Sequence, residues 1–150
     1  GNFTWEILDS AQNRLNNWRT AIDILWQPQH INNSIDIMSY INKILIALQN
    51  DLDTSTAVNI IDKAIDQIQQ GNIQTNAIRN FTKAIEKLIG IDLMLGKHDI
   101  TQEQKTKLER RQQARDQQDW QTSDNIRNNM LEEGILIRDT STGQMWTRLT

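Results

Sequence analysis

Residues 53–71 read DTSTAVNIIDKAIDQIQQG, and this stretch decides the fold. Val58, Ile61, Ile65 and Ile68 recur at spacings of three and four, which lines one face of an α-helix with apolar side chains. The run Asp51-Leu52-Asp53-Thr54-Ser55 supplies a polar break and a new N-cap. At the far end Gln70-Gly71 puts glycine where a helix C-terminus needs a left-handed residue. A helix striped on one side only cannot bury that stripe alone, so neighbouring segments must offer matching faces.

They do. Leu8, Ala11, Leu15, Trp18, Ile22 and Leu25 predict a long helix from residue 3 to about 27, stopped near the single proline, Pro28. Asn33-Ser34 can cap a second helix with Ile35, Met38, Ile41, Leu45 and Leu48 inward. A fourth helix, roughly 74–95, carries Ile78, Phe81, Ile85 and Leu88 and is closed by Gly96. Four such helices with short connections predict an antiparallel four-helix bundle over residues 1–98.

Beyond Asp99 the pattern changes. Residues 101–117 predict a polar helix, basic through Lys105, Lys107, Arg110, Arg111 and Arg115. Asp119 can cap a shorter helix with Trp120, Ile126, Met130 and Leu131, ended by Gly134. Ile135-Leu136-Ile137-Arg138-Asp139, the turn Thr140-Ser141-Thr142-Gly143, and Met145-Trp146-Thr147-Arg148-Leu149 then predict a β-hairpin. The fold class expected is thus mainly α, a bundle followed by a small helix-helix-β-hairpin tail over residues 99–150.

Composition narrows the function. The 150 residues include no cysteine, which excludes disulfides, thiolate metal sites and a cysteine nucleophile. Two histidines, His30 and His98, have no ligand-spaced partner, and His98 reads as a loop or cap residue. A net charge of −3 excludes a bulk polycation that grips nucleic acid unselectively. Asn and Gln number 31, interleaved with periodic aliphatics, so amides take the place of charge on solvated helix faces. No apolar run approaches the roughly 18–20 residues of a membrane span. The N-terminus lacks the pattern of a secretory signal, so a cytoplasmic location is expected. Phosphate-binding loops of the GxxxxGK[ST] and GxGxxG kinds are absent, as is a nucleophile elbow. The adjacent carboxylates Glu132 and Glu133 suit a solvated helix end better than acid–base chemistry. A binding role without chemistry is the expectation.

In the tail, Trp120, Asp124 and Arg127 fall on one helical stripe, while Ile126 and Met130 are better placed for the core. An indole offers a stacking face, a carboxylate accepts from base amines, and a guanidinium forks onto a base edge or phosphate. Arg115 and Asp139 can join from neighbouring elements, with Lys105, Lys107 and Arg111 as candidate phosphate contacts. Spacing alone also allows Trp120 to be a packing residue, which it favours, and Asp124 with Arg127 to be an ordinary exposed pair. For Trp146 core packing is the better reading.

The segment Arg115-Asp116-Gln117-Gln118-Asp119-Trp120-Gln121-Thr122-Ser123-Asp124-Asn125-Ile126-Arg127 resembles the C-terminal tail of bacterial cysteinyl-tRNA synthetases. That family ends in R-x-x-K-D-[WF]-x-x-[SA]-D-x-[IA]-R, a Gly-Ile strand, and D-T-x-x-G-x-x-W. Gly134-Ile135 and Asp139-Thr140-Ser141-Thr142-Gly143-Gln144-Met145-Trp146 follow it without a gap. Upstream the likeness is looser. Asn2-Phe3-Thr4-Trp5-Glu6 resembles the opening of the family's C-terminal helical domain, and Ala47–Thr54 its D-D-[FL]-N-T-P-x-A stretch. Asp53 stands where Asn is usual and Ser55 where Pro is usual, and both keep N-cap chemistry.

The resemblance implies a helical bundle of the class I synthetase anticodon-binding type over residues 1–98 and an anticodon-recognition tail over 99–150. It implies a partner, cysteine tRNA with the GCA anticodon, read by Arg115, Trp120, Asp124 and Asp139. The family's catalytic domain, with HIGH and KMSKS signatures, ATP and zinc, would precede residue 1. The chain is therefore expected to be an excised C-terminal region, monomeric, without catalytic residues, cofactor or metal of its own, supporting aminoacylation by a catalytic domain of the same parent chain. No membrane partner is expected. The alternative is a stand-alone protein-interaction bundle derived from the synthetase. A small enzyme is the remotest reading.

Overall fold

Caps and glycines set the helix boundaries, and the computed structural model, which describes residues 4–28, 34–141 and 143–149, shows where each one acts. Helix α1 spans Trp5–Ala21 and continues as a 3₁₀ segment over Ile22–Trp26. Helix α2 spans Ile37–Gln49, α3 Thr54–Gln69 and α4 Thr75–Ile89. Helices α5, Gln102–Asp116, and α6, Trp120–Glu132, precede strands β1, Ile135–Thr140, and β2, Gly143–Arg148. The protein is mainly helical, with six α-helices and one antiparallel two-stranded hairpin among the described residues. It divides into two compact units, Gly1–Lys97 and His98–Thr150.

In the first unit α2 packs against α3 and α4, α1 packs against α3, and the 3₁₀ segment touches α1, α3 and α4. The core is aliphatic: Ile22, Ile44, Ile61, Ile65, Ile68, Ile78, Phe81 and Ile85 are fully buried. Asp53 caps α3 by accepting from the Thr56 N–H at 3.0 Å, and Gly71 at φ 73° follows its C-terminus. A lysine–aspartate pair lies inside this unit. Lys97 Nζ donates to Asp23 Oδ1 at 3.1 Å, with side-chain exposures of 7% and 0%. Trp18 is buried and its indole N–H donates to Asp62 at 2.7 Å.

Four expectations are corrected here. The first helix loses α-geometry after Ala21 and its early apolar residues are not core: Leu8 is 43% exposed and Ala11 exposed, while burial starts at Trp18. The N-cap of α2 is Asp36, which accepts from the Met38 N–H at 2.9 Å, rather than Ser34; Asn33 lies outside the described residues. The buried face of α2 is rotated by about a residue, through Ile37, Ile44 and Ala47, leaving Met38 and Leu45 exposed. Helix α4 stops at Gly90, not Gly96, because Gly90 takes the left-handed cap at φ 72° and donates to the Glu86 carbonyl at 2.9 Å. Residues 91–100 then run as turns and coil that bury Leu93 and Ile100.

In the second unit α5 packs on α6, and α6 on β1. Thr101 and Gln104 form a capping box that opens α5. Pairing sets Ile137 opposite Trp146 and Asp139 opposite Gln144. Two strands alone are marginal, and Ile126, Met130, Ile135, Ile137 and Trp146 form the apolar layer that holds them on the helices. Trp146 is 4% exposed, the packing role its spacing favoured. The Arg148 guanidinium lies 5.2 Å from its ring centroid and donates to the Asp99 carbonyl at 3.0 Å.

Candidate nucleic-acid interface

The turn between α5 and α6 sets up the site. Gln118 adopts a left-handed φ of 61°, and its N–H donates to the Arg115 carbonyl at 3.0 Å. The Asp119 N–H reaches the Ala114 carbonyl at 2.8 Å, while its carboxylate caps α6 by accepting from the Thr122 N–H at 3.1 Å. Those bonds to Thr122 hold the Asp119 carboxyl below its usual range. With so tight a reversal, the last turn of α5 and the first residue of α6 become neighbours. Arg115 therefore sits with its guanidinium carbon 5.9 Å from the Trp120 ring centroid, within cation–π reach. Trp120 is 57% exposed, so most of its indole faces solvent.

Asp139 arrives from the end of β1. Arg111 Nη1 donates to its Oδ1 at 2.8 Å and Arg111 Nη2 to its Oδ2 at 2.9 Å, a bidentate fork. Arg115 Nη1 adds a contact to Oδ2 at 3.2 Å. The Arg111 hydrogen bonds are the main reason the Asp139 carboxyl is held below its usual range, helped by the charges of Arg111, Arg115 and Arg127. Two of the roughly four lone-pair directions of the carboxylate are thus taken by hydrogen bonds, with Arg115 in ion-pair range of Oδ2. Gln144 closes the arrangement: its carbonyl oxygen accepts from Arg111 at 3.0 Å, and its amide donates to the Leu108 carbonyl of α5 at 2.6 Å.

Of the four residues singled out as base readers, Arg115, Trp120 and Asp139 come together in one cluster. Asp124 is exposed one helical turn beyond Trp120 on α6, where residues four apart are surface neighbours. Arg127 is exposed on the same helix. The candidate phosphate contacts fare differently. Lys105 is paired with Asp99, and Lys107 with Glu103 at 3.1 Å and with Glu133. These bonds raise Lys107, Glu133 first, and lower Glu133, Lys107 first. Both lysines keep partial exposure, 40% and 29% of their side chains.

Arg111 corrects the expectation. The sequence offers it as a candidate phosphate contact, yet its side chain is 1% exposed with its fork already engaged by Asp139. A strand register and a helix face must both be known before Arg111 and Asp139 can be paired, because 28 residues separate them. Gln144 carries no local signal for the same reason; its only cue is its place opposite Asp139 in the hairpin register.

Among the described residues no three His, Asp or Glu side chains gather as a metal site. No helix of those residues is long and apolar enough to cross a membrane.

The exposed indole beside arginine and carboxylate, on a helix-helix-hairpin unit, lies in a segment similar to a known family. Residues 97–146 match the family model of the cysteinyl-tRNA ligase anticodon binding domain. Over 156 aligned residues the chain is 27% identical to the cysteine–tRNA ligase of Limosilactobacillus reuteri (strain DSM 20016). That alignment covers 94% of the chain and 33% of the relative, so the chain spans about a third of that protein's length. Both likenesses, one over residues 97–146 and one along most of the chain, are to cysteine–tRNA ligases.

Proposed function

We propose that this chain recognises the anticodon stem-loop of cysteine tRNA and thereby supports aminoacylation by a catalytic domain of the parent synthetase. The observation that carries this reading is the cluster of Arg115, Trp120 and Asp139, which joins two helices and a strand on the segment matched to the anticodon-binding family. Anticodon bases are splayed out of the loop, one of them stacks on the open face of Trp120, and their edges are read by hydrogen bonds. Asp124 has a free-standing exposed carboxylate for base amines. Asp139, with one lone pair on each oxygen given to Arg111, keeps acceptor capacity for a further donor, as the G of a GCA anticodon would supply. Arg115 can turn from Asp139 to a base edge or phosphate, and Lys105 and Lys107 suit phosphate oxygens at the rim.

In this reading residues 1–98 are an antiparallel helical bundle that supports the tRNA and 99–150 the recognition tail. The chain itself performs no chemistry. ATP, zinc and cysteine belong to the parent enzyme's catalytic domain, which works with this region as a cytoplasmic monomer. The rival reading, a protein-interaction bundle, draws on one observation: Trp5 and Ile7 at the start of α1 are 72% and 57% exposed.

The test is a titration of the 150-residue chain with cysteine tRNA and with an anticodon-swapped version at one stated salt concentration. A preference of about tenfold for the native anticodon is expected, equivalent to about 1.4 kcal/mol. Equal, salt-sensitive affinity for both would reduce the site to backbone contacts and remove base reading from the four residues.

A further inference from the structure

We propose that Arg111, although it cannot touch RNA, is the positioning residue of the base-reading cluster, acting by fixing the Asp139 carboxylate. The inference rests on the anticodon-reading proposal above and adds to it a residue and a reason.

Arginine is almost never fully buried without a purpose-built partner, since the charge must leave water. Arg111 is 1% exposed, and its Nε has no hydrogen-bond partner among the described residues. An aliphatic side chain at this place in α5 would fill the same space without that unmet donor. What it could not supply is a planar fork. The two bonds of 2.8 and 2.9 Å bind both oxygens of Asp139, so the carboxylate plane has one orientation. Without the fork, Asp139 would be a partly exposed side chain, 38% accessible, next to the turn of a two-stranded hairpin, free to change rotamer.

The consequence passes outward through contacts already described. Asp139 Oδ2 meets Arg115 at 3.2 Å, and Arg115 lies beside the Trp120 ring. The line Arg111, Asp139, Arg115, Trp120 runs from a buried anchor to an exposed stacking face. Gln144 braces it, holding Arg111 with one end of its amide and the Leu108 carbonyl with the other. Recognition by hydrogen bonds depends on placement within about half an ångström, and an arginine in the interior supplies that where a solvent-held one does not. Arg111 should therefore govern discrimination between bases rather than the affinity for RNA as such.

Arg111→Lys keeps the cation and removes the fork. In the titration described above, the variant should bind anticodon-swapped tRNA as wild type does, while its preference for the native anticodon falls from about tenfold to within about twofold. A carbon-detected titration of the Asp139 carboxyl should move back toward the ordinary carboxylate range, a readout that mere loosening elsewhere would not move. Should Arg111→Lys fail to unfold cooperatively, Arg111→Met is made in an Asp139→Asn background, where no charge is orphaned. Adding it should then remove no further discrimination beyond that of Asp139→Asn alone.

Retained preference in Arg111→Lys, or additional loss in the double variant, would overturn the inference and leave the anticodon reading standing. A wild-type chain indifferent to the anticodon would instead overturn the reading itself, and the inference with it.

Discussion

Replacing Trp120 by leucine separates stacking from packing. The residue is 57% exposed and occupies the first position of α6, so it contributes only part of its surface to the fold. A tryptophan can bury up to about 250 Å², and the hidden two-fifths here amount to about 100 Å², most of which leucine can still cover. At about 25 cal/mol per Å² the uncovered remainder costs less than about 1 kcal/mol, and leucine's better helix propensity offsets a few tenths of that. The lost π-face is a different matter. Base–aromatic stacking is worth about 1–3 kcal/mol per base, so affinity for cysteine tRNA should fall roughly 5- to 150-fold. Trp120→Phe, which keeps an aromatic face, should lose much less. The assay is the same tRNA titration, paired with thermal unfolding of each variant to show an intact fold. A folded Trp120→Leu variant that binds cysteine tRNA as tightly as wild type would refute the stacking role.

Three further outcomes follow from the geometry. Lys97→Met leaves the fully buried Asp23 carboxylate without its cation and should cost about 3–5 kcal/mol by chemical denaturation, with Asp23→Leu in the same chain restoring most of it. Thr101→Ala breaks the capping box of α5 and should cost about 1 kcal/mol by the same measurement, without altering tRNA discrimination. Because Arg111 depresses Asp139, the unfolded chain takes up that proton before the folded one does as pH falls. Stability from this contact is therefore complete at neutral pH and lost below the ordinary carboxylate range, and Asp139→Asn should flatten that acid limb of a stability–pH curve.

Much of the local structure was written in short-range chemistry. The glycine after α3, the Asp53, Thr101 and Asp119 caps, and the alternation that buries Trp146 all depend on residues within four or five positions of one another. Such features are legible because a helix end or a two-residue hairpin completes its hydrogen bonds locally. The helix periods in α3 and α4 were legible for the same reason. Where the sequence misled, a choice between near-equivalent local options was made elsewhere. Gly90 and Gly96 could each end α4, and both take a left-handed φ; the earlier one ends it while residues beyond fold back to bury Leu93. Helix α2 has apolar residues on adjacent stripes, Met38 and Leu45 beside Ile37 and Ile44, and packing against α3 and α4 selected the second pair.

The candidate site divides along the same line. The sequence alone determined that Trp120, Asp124 and Arg127 share one helical stripe with Arg115 a few residues upstream, since helical spacing is a local matter. It did not determine that Asp139 joins them, that Arg111 leaves the surface, or that Gln144 bridges strand to helix. Those pairings span 24 to 36 residues and exist only once the hairpin has docked on α5. Chain entropy opposes each of them in isolation, so no local pattern can encode them. They form together because the apolar layer of Ile126, Met130, Ile137 and Trp146 brings hairpin and helices into contact, and that buried layer is a property of the tertiary structure alone.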